Sequence, residues 1–199
     1  MTTYTNEKIR MVQEYDIKGA LKVLQEGGVL LFPTDTVWSI GCDATNPQAI
    51  EEVMAIKKKA IHKNVEILVD SITMLKNYVE HLHPKLETLL TYHVRPLTVV
   101  FDNACNLPER LLAPDGTVGV RVVQDDFCRA LIRAHGEPIL AAFASVGEGT
   151  FPTNFGAISS EIIEEVDFVV KYRQNEKAIN EPSVVVRLSN RDELEFLRE

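Results

Sequence analysis

The sequence contains no apolar run that approaches the roughly 20 residues needed to cross a bilayer. Its first 16 residues, MTTYTNEKIRMVQEYD, are polar and lack the apolar centre of a signal peptide. We therefore expect a cytoplasmic protein that has no membrane partner. The length of 199 residues is enough for one domain with a sizeable core.

Cysteine is also scarce, with three residues at Cys42, Cys105 and Cys128. They are scattered, odd in number and form no CxxC pair, so neither a disulfide framework nor a zinc site is indicated. Three reduced thiols are the simplest interpretation. We expect no metal ion held by protein ligands.

Positive charge is in the minority, because 21 lysines and arginines face 29 acidic residues and the formal net charge is −8. A general nucleic-acid coat protein would be basic, since neutralising phosphates supplies most non-specific affinity. Any RNA contact must therefore come from a local patch. Residues 57–63 contain four lysines and His62, although a run of solvated charge is the usual explanation of such a cluster.

Several common catalytic signatures are missing. There is no GxxxxGK[ST] loop and no GxGxxG fingerprint, so neither a P-loop enzyme nor a Rossmann dehydrogenase is indicated. HExxH and GxSxG are absent as well. The function must therefore be sought in less general motifs.

Strand-like and helix-like segments alternate along the chain, which predicts an α/β fold with helices on both faces of a sheet. The strand at 97–101 and the next at 118–122 have no crossover helix between them, so the sheet should be mixed. We expect a single domain over 1–199 with its core at about 17–188. Further strands are predicted at 28–32, 65–69, 139–142, 168–171 and 184–188, with an edge strand near 194–199.

The first candidate for chemistry is PTDTVWSIGCD at 33–43, which follows a predicted strand and precedes a helix. Ligands of open α/β sheets bind beyond the ends of strands, so the position suits a site. Thr34 and Thr36 offer hydroxyls, Trp38 offers an aromatic wall, and Gly41 would allow a close backbone approach. Turn chemistry and a packed tryptophan explain the same residues equally well.

Two cationic features complete the candidates. Lys57, Lys58 and Lys59 end a predicted helix, where the helix dipole favours lysine but where ammonium groups could also hold a polyphosphate. Arg121 lies in the apolar strand VGVRV, where an unpaired guanidinium is costly. It either pairs with a carboxylate or points into a site, and we favour the site.

Five short motifs follow one another in a fixed order. They are PTDTVWSIG at 33–41, KKK at 57–59, RPLT at 95–98, VGVRV at 118–122 and PSVV at 182–185. In this order they resemble the YrdC-like family, and the resemblance covers roughly residues 17–188.

The resemblance implies one YrdC-like domain with a twisted mixed sheet and a concave groove. It also implies an L-threonylcarbamoyladenylate synthase, a nucleotidyltransferase that joins ATP, L-threonine and bicarbonate into threonylcarbamoyl-AMP for tRNA modification. Mg²⁺ would accompany the ATP. Some members of the family bind double-stranded RNA, so tRNA or double-stranded RNA is a further expected partner.

The resemblance and the motif chemistry together assign three groups of site residues. The groups are catalytic Lys57, Lys59 and Arg121; substrate-binding Thr34, Thr36, Trp38, Thr117, Ser145 and Ser183; and an RNA or phosphate patch of Lys58, His62 and Lys63.

The chain departs from the family pattern in three places. Lys59 replaces an arginine and loses its bidentate fork, and Ser39 replaces a glycine. The family's Ser-Thr-Ser-Ala-Asn stretch reads AAFAS at 141–145, so Phe143 and Ser145 replace the serine and asparagine that should bond to phosphate and substrate. Each lost charge-assisted hydrogen bond is worth roughly 1.5–3 kcal/mol.

These departures leave two hypotheses. The chain is either a synthase with relaxed motifs, or a non-catalytic paralogue that retains the fold and a weak nucleotide or RNA surface.

Overall fold

The computed structural model of the chain describes residues 2–57, 65–145, 151–177 and 181–199. The strands are β1 (Leu30–Phe32), β2 (Ser39–Asp43), β3 (Val65–Val69), β4 (Leu97–Phe101), β5 (Val118–Val122), β6 (Ile139–Phe143), β7 (Phe168–Val169), β8 (Val184–Leu188) and β9 (Leu194–Arg198). The helices are α1 (Thr2–Gln25), α2 (Pro47–Lys57), α3 (Ile72–Leu75), α4 (Pro84–Tyr92), α5 (Asp126–His135) and α6 (Ser160–Glu165), with 3-10 turns at Glu109–Leu111 and Phe155–Ala157.

All these strands belong to one sheet, in the order β7-β1-β2-β6-β3-β5-β4-β8-β9. The pairs β1–β7, β3–β5 and β4–β8 are parallel, and the remaining pairs are antiparallel. The mixed sheet expected from the sequence is therefore confirmed. β9 forms one edge of the sheet, as predicted.

Helices cover both faces of the sheet, and each face has its own apolar core. On one face, the buried side chains of α1 and α5 pack against β1, against Leu68 of β3, and against Ile139 and Ala141 of β6. On the other face, α2, α3, α4 and α6 pack against the apolar side chains of β3, β4 and β5. The five residues of β5 show the division, since Val118, Val120 and Val122 enter the second core while Gly119 and Arg121 face the first side.

Local signals set several helix ends where the sequence placed them. Ser71 caps α3 by accepting a hydrogen bond from Met74 N at 3.1 Å. Asp125 caps α5 in the same way, and Gly136 ends that helix in the left-handed conformation at φ 86°.

One strand was missed in the sequence. Residues 39–43 were interpreted as part of a loop, but they form β2, which pairs with β1 and β6. Its centre is Gly41, where an added Cβ would lie 2.1 Å from the carbonyl oxygen of Leu140. The glycine therefore serves a close approach of backbone, as expected, but between strands rather than towards a ligand.

Among the described residues, no helix combines the length and the apolarity required to cross a bilayer.

Candidate ligand site

The face of the sheet that α1 and α5 cover only in part holds a cavity of about 410 Å³. Strands β3, β4, β5, β6, β8 and β9 all contribute to its wall, so the cavity lies in the curve of the sheet. Its lining is largely apolar, and the polar members are Glu66, Thr98, Thr117 and Arg198. We call this space the sheet cavity.

A row of polar side chains runs along the sheet cavity, and Glu66, Thr98 and Arg198 of this row line it. The Thr98 hydroxyl donates to Glu66 Oε2 at 2.5 Å and lies 2.7 Å from the Ser183 hydroxyl. Arg198 continues the row from β9, because its Nη2 donates to Ser183 Oγ at 3.0 Å and its Nε to the Ser183 carbonyl at 2.8 Å. The register brings these groups together, since Val185 on β8 pairs with both Thr98 and Arg198. We call the four residues the polar row.

Arg121 extends the polar row at its other end, but beneath the surface. Its guanidinium donates to Glu66 Oε1 from Nε at 3.1 Å and from Nη2 at 2.5 Å. The remaining nitrogen, Nη1, pairs with Asp35 from the loop between β1 and β2. Arg121 has no exposed surface. Of the two alternatives left by the sequence, pairing with carboxylates is the one found, and the guanidinium is separated from the sheet cavity by Glu66.

Burial determines the ionisation of this pair. It lowers the pKa of the Arg121 guanidinium to about 10. It raises the pKa of the Glu66 carboxyl to about 7, against the hydrogen bond from Thr98, the charge of Arg198 and the bond from Ser183. Removing either partner would leave the other as an unpaired buried charge, which would destabilise the fold.

Lys57, the last residue of α2, lies beside the same cavity. Its ammonium donates to the carbonyl oxygens of Phe143 at 2.7 Å and Ser145 at 2.6 Å. Burial lowers the pKa of the Lys57 ammonium. These two bonds use two of the three ammonium protons, counted among the residues that the structure describes. Neither Lys57 nor Arg121 lines the sheet cavity, but each contacts a residue that does, Phe143 and Glu66 respectively.

The side chain of Phe143 occupies the end of the sheet cavity nearest Lys57. Its ring lines the cavity, packs edge-on against Phe151 with centroids 5.1 Å apart, and lies 5.7 Å from the guanidinium of Arg198. A cation over an aromatic face is attracted to it. The contact joins β6 to β9 across the cavity, so the substitution noted in the sequence also holds Arg198 in position.

Thr34, Thr36 and Trp38 lie elsewhere. The two hydroxyls are 2.8 Å apart, both residues are 1% exposed, and Thr34 also donates to the Val37 carbonyl. Trp38 packs against Phe155. The pocket beside these residues holds only about 10 Å³, and none of them lines the sheet cavity. In this conformation their contacts are those of a structural turn.

Arg173 contacts the turn that contains Thr34 and Thr36. Its Nη1 donates to the Thr34 carbonyl at 2.9 Å, and its guanidinium pairs with Asp125 and Glu176. Its backbone adopts φ 64°, an uncommon conformation for a residue with a side chain. Three contacts therefore hold Arg173 in place.

The remaining predicted residues divide into two groups. Thr117 lies at the rim of the sheet cavity, where its hydroxyl donates to Asp115 at 2.7 Å, and it also borders a second cavity of about 500 Å³ that contains His81 and His83. Ser145 contributes its carbonyl to Lys57. Lys58, Lys59, His62 and Lys63 lie outside the described residues.

Glu66, Arg198 and Asp35 were not predicted as site residues. Glu66 did leave a signal, because it is the only charged residue in the strand VEILV, and the argument made for Arg121 applies to it equally. Arg198 left none, since LEFLR resembles any exposed edge strand. In the part of the chain that the structure describes, no group of three or more histidine, cysteine or acidic side chains is arranged to hold a metal ion.

The sequence of the chain matches a known family and several curated proteins. The Sua5_yciO_yrdC family model, whose description is telomere recombination, matches residues 22–199. The threonylcarbamoyl-AMP synthase of Pseudoalteromonas translucida is 26% identical over 163 residues, which is 80% of this chain and 87% of that protein. The protein of the same name from Hydrogenovibrio crunogenus is 33% identical over 135 residues, or 65% of this chain and 72% of its own length.

Solved structures share the fold. The P. abyssi Sua5 structure complexed with L-threonine superposes with a TM-score of 0.79 at 22% identity over 93% of this chain, which spans only 54% of the Sua5 chain. E. coli YciO gives a TM-score of 0.79 at 22% identity and is matched over 89% of its length. At these identities the likeness supports the architecture alone.

Proposed function

This chain belongs to the Sua5/YciO/YrdC family, and from that membership we propose that it is a threonylcarbamoyl-AMP synthase whose reactants meet in the sheet cavity. The observation that carries the proposal is one cavity lined by Thr98, Arg198 and Phe143, with Lys57 bonded to the carbonyl oxygen of Phe143 and Arg198 bonded to Ser183. The substrates would be ATP, L-threonine and bicarbonate, and the protein would act in the cytoplasm.

The charges near the sheet cavity suit the proposed substrates. Arg198 is the cation that lines it, so a substrate carboxylate or phosphate would be attracted to that side. Lys57 is bonded to the carbonyl oxygen of Phe143, a residue that lines the cavity, and from there it would neutralise charge that develops on the triphosphate as pyrophosphate leaves. The apolar walls would shield the labile carbamate from water.

Mg²⁺ is proposed only as a companion of the ATP phosphates. A protein site for Mg²⁺ would need one or two free carboxylates, but Glu66, the carboxylate that lines the sheet cavity among the described residues, is paired with Arg121. We therefore assign no step of the reaction to residues that hold a metal ion.

A specific observation favours the second candidate, a non-catalytic paralogue. Phe143 fills the end of the sheet cavity where the family pattern has a polar side chain, and both carbonyls near it already accept from Lys57. Such a protein would retain the fold and bind nucleotide weakly. Binding of tRNA or double-stranded RNA through Lys58, His62 and Lys63 is proposed from the sequence alone.

The experiment that separates the two candidates is an assay of pyrophosphate release with ATP, L-threonine, bicarbonate and Mg²⁺. We expect release that depends on threonine and that falls at least about tenfold in Lys57→Met, because that variant loses the ammonium charge. Lys76→Met, which removes an exposed lysine paired with Glu87, is the control and should leave the rate unchanged. Release that is absent, or independent of threonine, would favour the paralogue.

A further inference from the structure

Glu66 is the only carboxylate that lines the sheet cavity, among the residues the structure describes. Its side chain is 9% exposed, and that small surface faces the cavity. Neither the relatives nor the motifs found in the sequence give this position a role. A buried carboxylate in the wall of a largely apolar cavity is costly, so its presence requires an explanation.

Pairing with Arg121 explains only part of the arrangement. Arg121 already has a second carboxylate partner in Asp35, so the guanidinium would not be unpaired if residue 66 were apolar. The buried group of one guanidinium and two carboxylates carries a net negative charge of one. Of the two carboxylates, Glu66 is the one that lines the cavity.

The hydrogen bonds fix where this charge is presented. Arg121 donates twice to Oε1, and Thr98 donates once to Oε2. A carboxylate offers about four lone-pair sites, so a ligand's ammonium would take the fourth site, at Oε2, in place of the Ser183 hydroxyl, which would then donate to Thr98 alone. No cation among the described residues contacts Oε2 directly, since Arg198 is separated from it by the hydroxyls of Thr98 and Ser183.

The polar row thus presents a negative group and a positive group along the same cavity, two hydroxyls apart. We propose that Glu66 is a specificity-determining residue that accepts the ammonium group of the ligand, so that the sheet cavity selects amine-bearing molecules over otherwise identical molecules without the amine. Arg198 would take an anionic group of the same ligand, and a zwitterion such as an α-amino acid satisfies both. The inference rests on the proposed function only in taking the sheet cavity as the substrate site.

The test compares matched ligands that differ in the amine. The first pair is n-butylammonium and 1-butanol, which probe the ammonium site alone. The second pair is L-threonine and 2,3-dihydroxybutanoate, in which a hydroxyl replaces the amine. Affinities are measured by NMR titration, following the amides of Gly119 and Val185 in the cavity wall, with wild type, Glu66→Gln and Glu195→Gln. Glu195 forms an exposed ion pair with Arg187, so its variant is the same chemical change outside the cavity.

We expect wild type to bind each amine at least about tenfold more tightly than its partner, which is the strength of a charge-assisted hydrogen bond. Glu66→Gln should lose that preference, and Glu195→Gln should keep it. A folded Glu66→Gln protein that still prefers the amines would overturn the proposal. If Glu66→Gln does not fold, the comparison of ligands on wild type is sufficient. Equal affinity of wild type for butylammonium and butanol would contradict an ammonium site.

The two ligand pairs separate this inference from the proposed function. Preference for butylammonium without any binding of L-threonine would support the ammonium site and contradict the proposed synthase function. Binding of L-threonine with the same affinity as 2,3-dihydroxybutanoate would support threonine as a ligand and contradict the role of Glu66 as the acceptor of its ammonium group.

Discussion

The Arg121→Met variant is expected to lose about 3–5 kcal/mol of its free energy of unfolding, the usual cost of removing one partner of a buried ion pair. The loss arises because Glu66 and Asp35 would then both be buried carboxylates without a counter-charge. Chemical denaturation of wild type and variant measures it. Arg133→Met is the control, since it breaks a pair in which Arg133 is 64% exposed and should cost about 1 kcal/mol or less.

The pH dependence of that loss distinguishes electrostatics from packing. Burial already raises the pKa of Glu66 to about 7, and removal of the guanidinium would raise it further. A carboxyl whose folded pKa exceeds its unfolded pKa stabilises the fold in its protonated form and loses that contribution as the pH rises. The penalty in Arg121→Met should therefore be smaller at about pH 5 than at about pH 8. A penalty that is independent of pH would show that Arg121 acts through packing instead.

Replacing Phe143 and Ser145 together should increase activity. In Phe143→Ser/Ser145→Asn the ring leaves the end of the sheet cavity, and two polar side chains of the family pattern return next to Lys57. Each restored charge-assisted hydrogen bond is worth roughly 1.5–3 kcal/mol. Threonine-dependent pyrophosphate release should therefore rise at least about tenfold.

The control for this pair is Phe151→Ser, which removes the neighbouring ring that packs on Phe143 but restores no polar group. It should leave the rate of pyrophosphate release unchanged. An equal increase in both variants would mean that space, rather than hydrogen bonding, limits the reaction. No increase in a folded double variant would place the limit outside residues 143–145.

Much of the fold followed from local patterns in the sequence. β3, β4, β5 and β8 were predicted with their correct bounds, because each is a short apolar run flanked by turn residues. β2 was missed because SIGCD has the small and polar composition of a loop, and its strand conformation depends on its neighbours β1 and β6.

The site was less predictable, for a related reason. Arg121 was identified because a charged residue in an apolar strand is unusual, and Ser183 because the PSVV motif resembles one of the family. The direction in which the Arg121 side chain points could not be predicted from the sequence. It depends on Asp35 and Glu66, which lie 86 and 55 residues away along the chain. Arg198 belongs to the site only because the sheet curves enough to bring β9 near Phe143.

The most direct test of the central claim, that the sheet cavity is where the ligands bind, is a crystal structure with L-threonine and a non-hydrolysable ATP analogue. We expect the amino acid above Thr98 and Ser183, with its amine towards Glu66 and its carboxylate towards Arg198, and the phosphates towards Lys57. Threonine bound instead against Thr34 and Thr36, or in the cavity beside His81 and His83, would contradict the account.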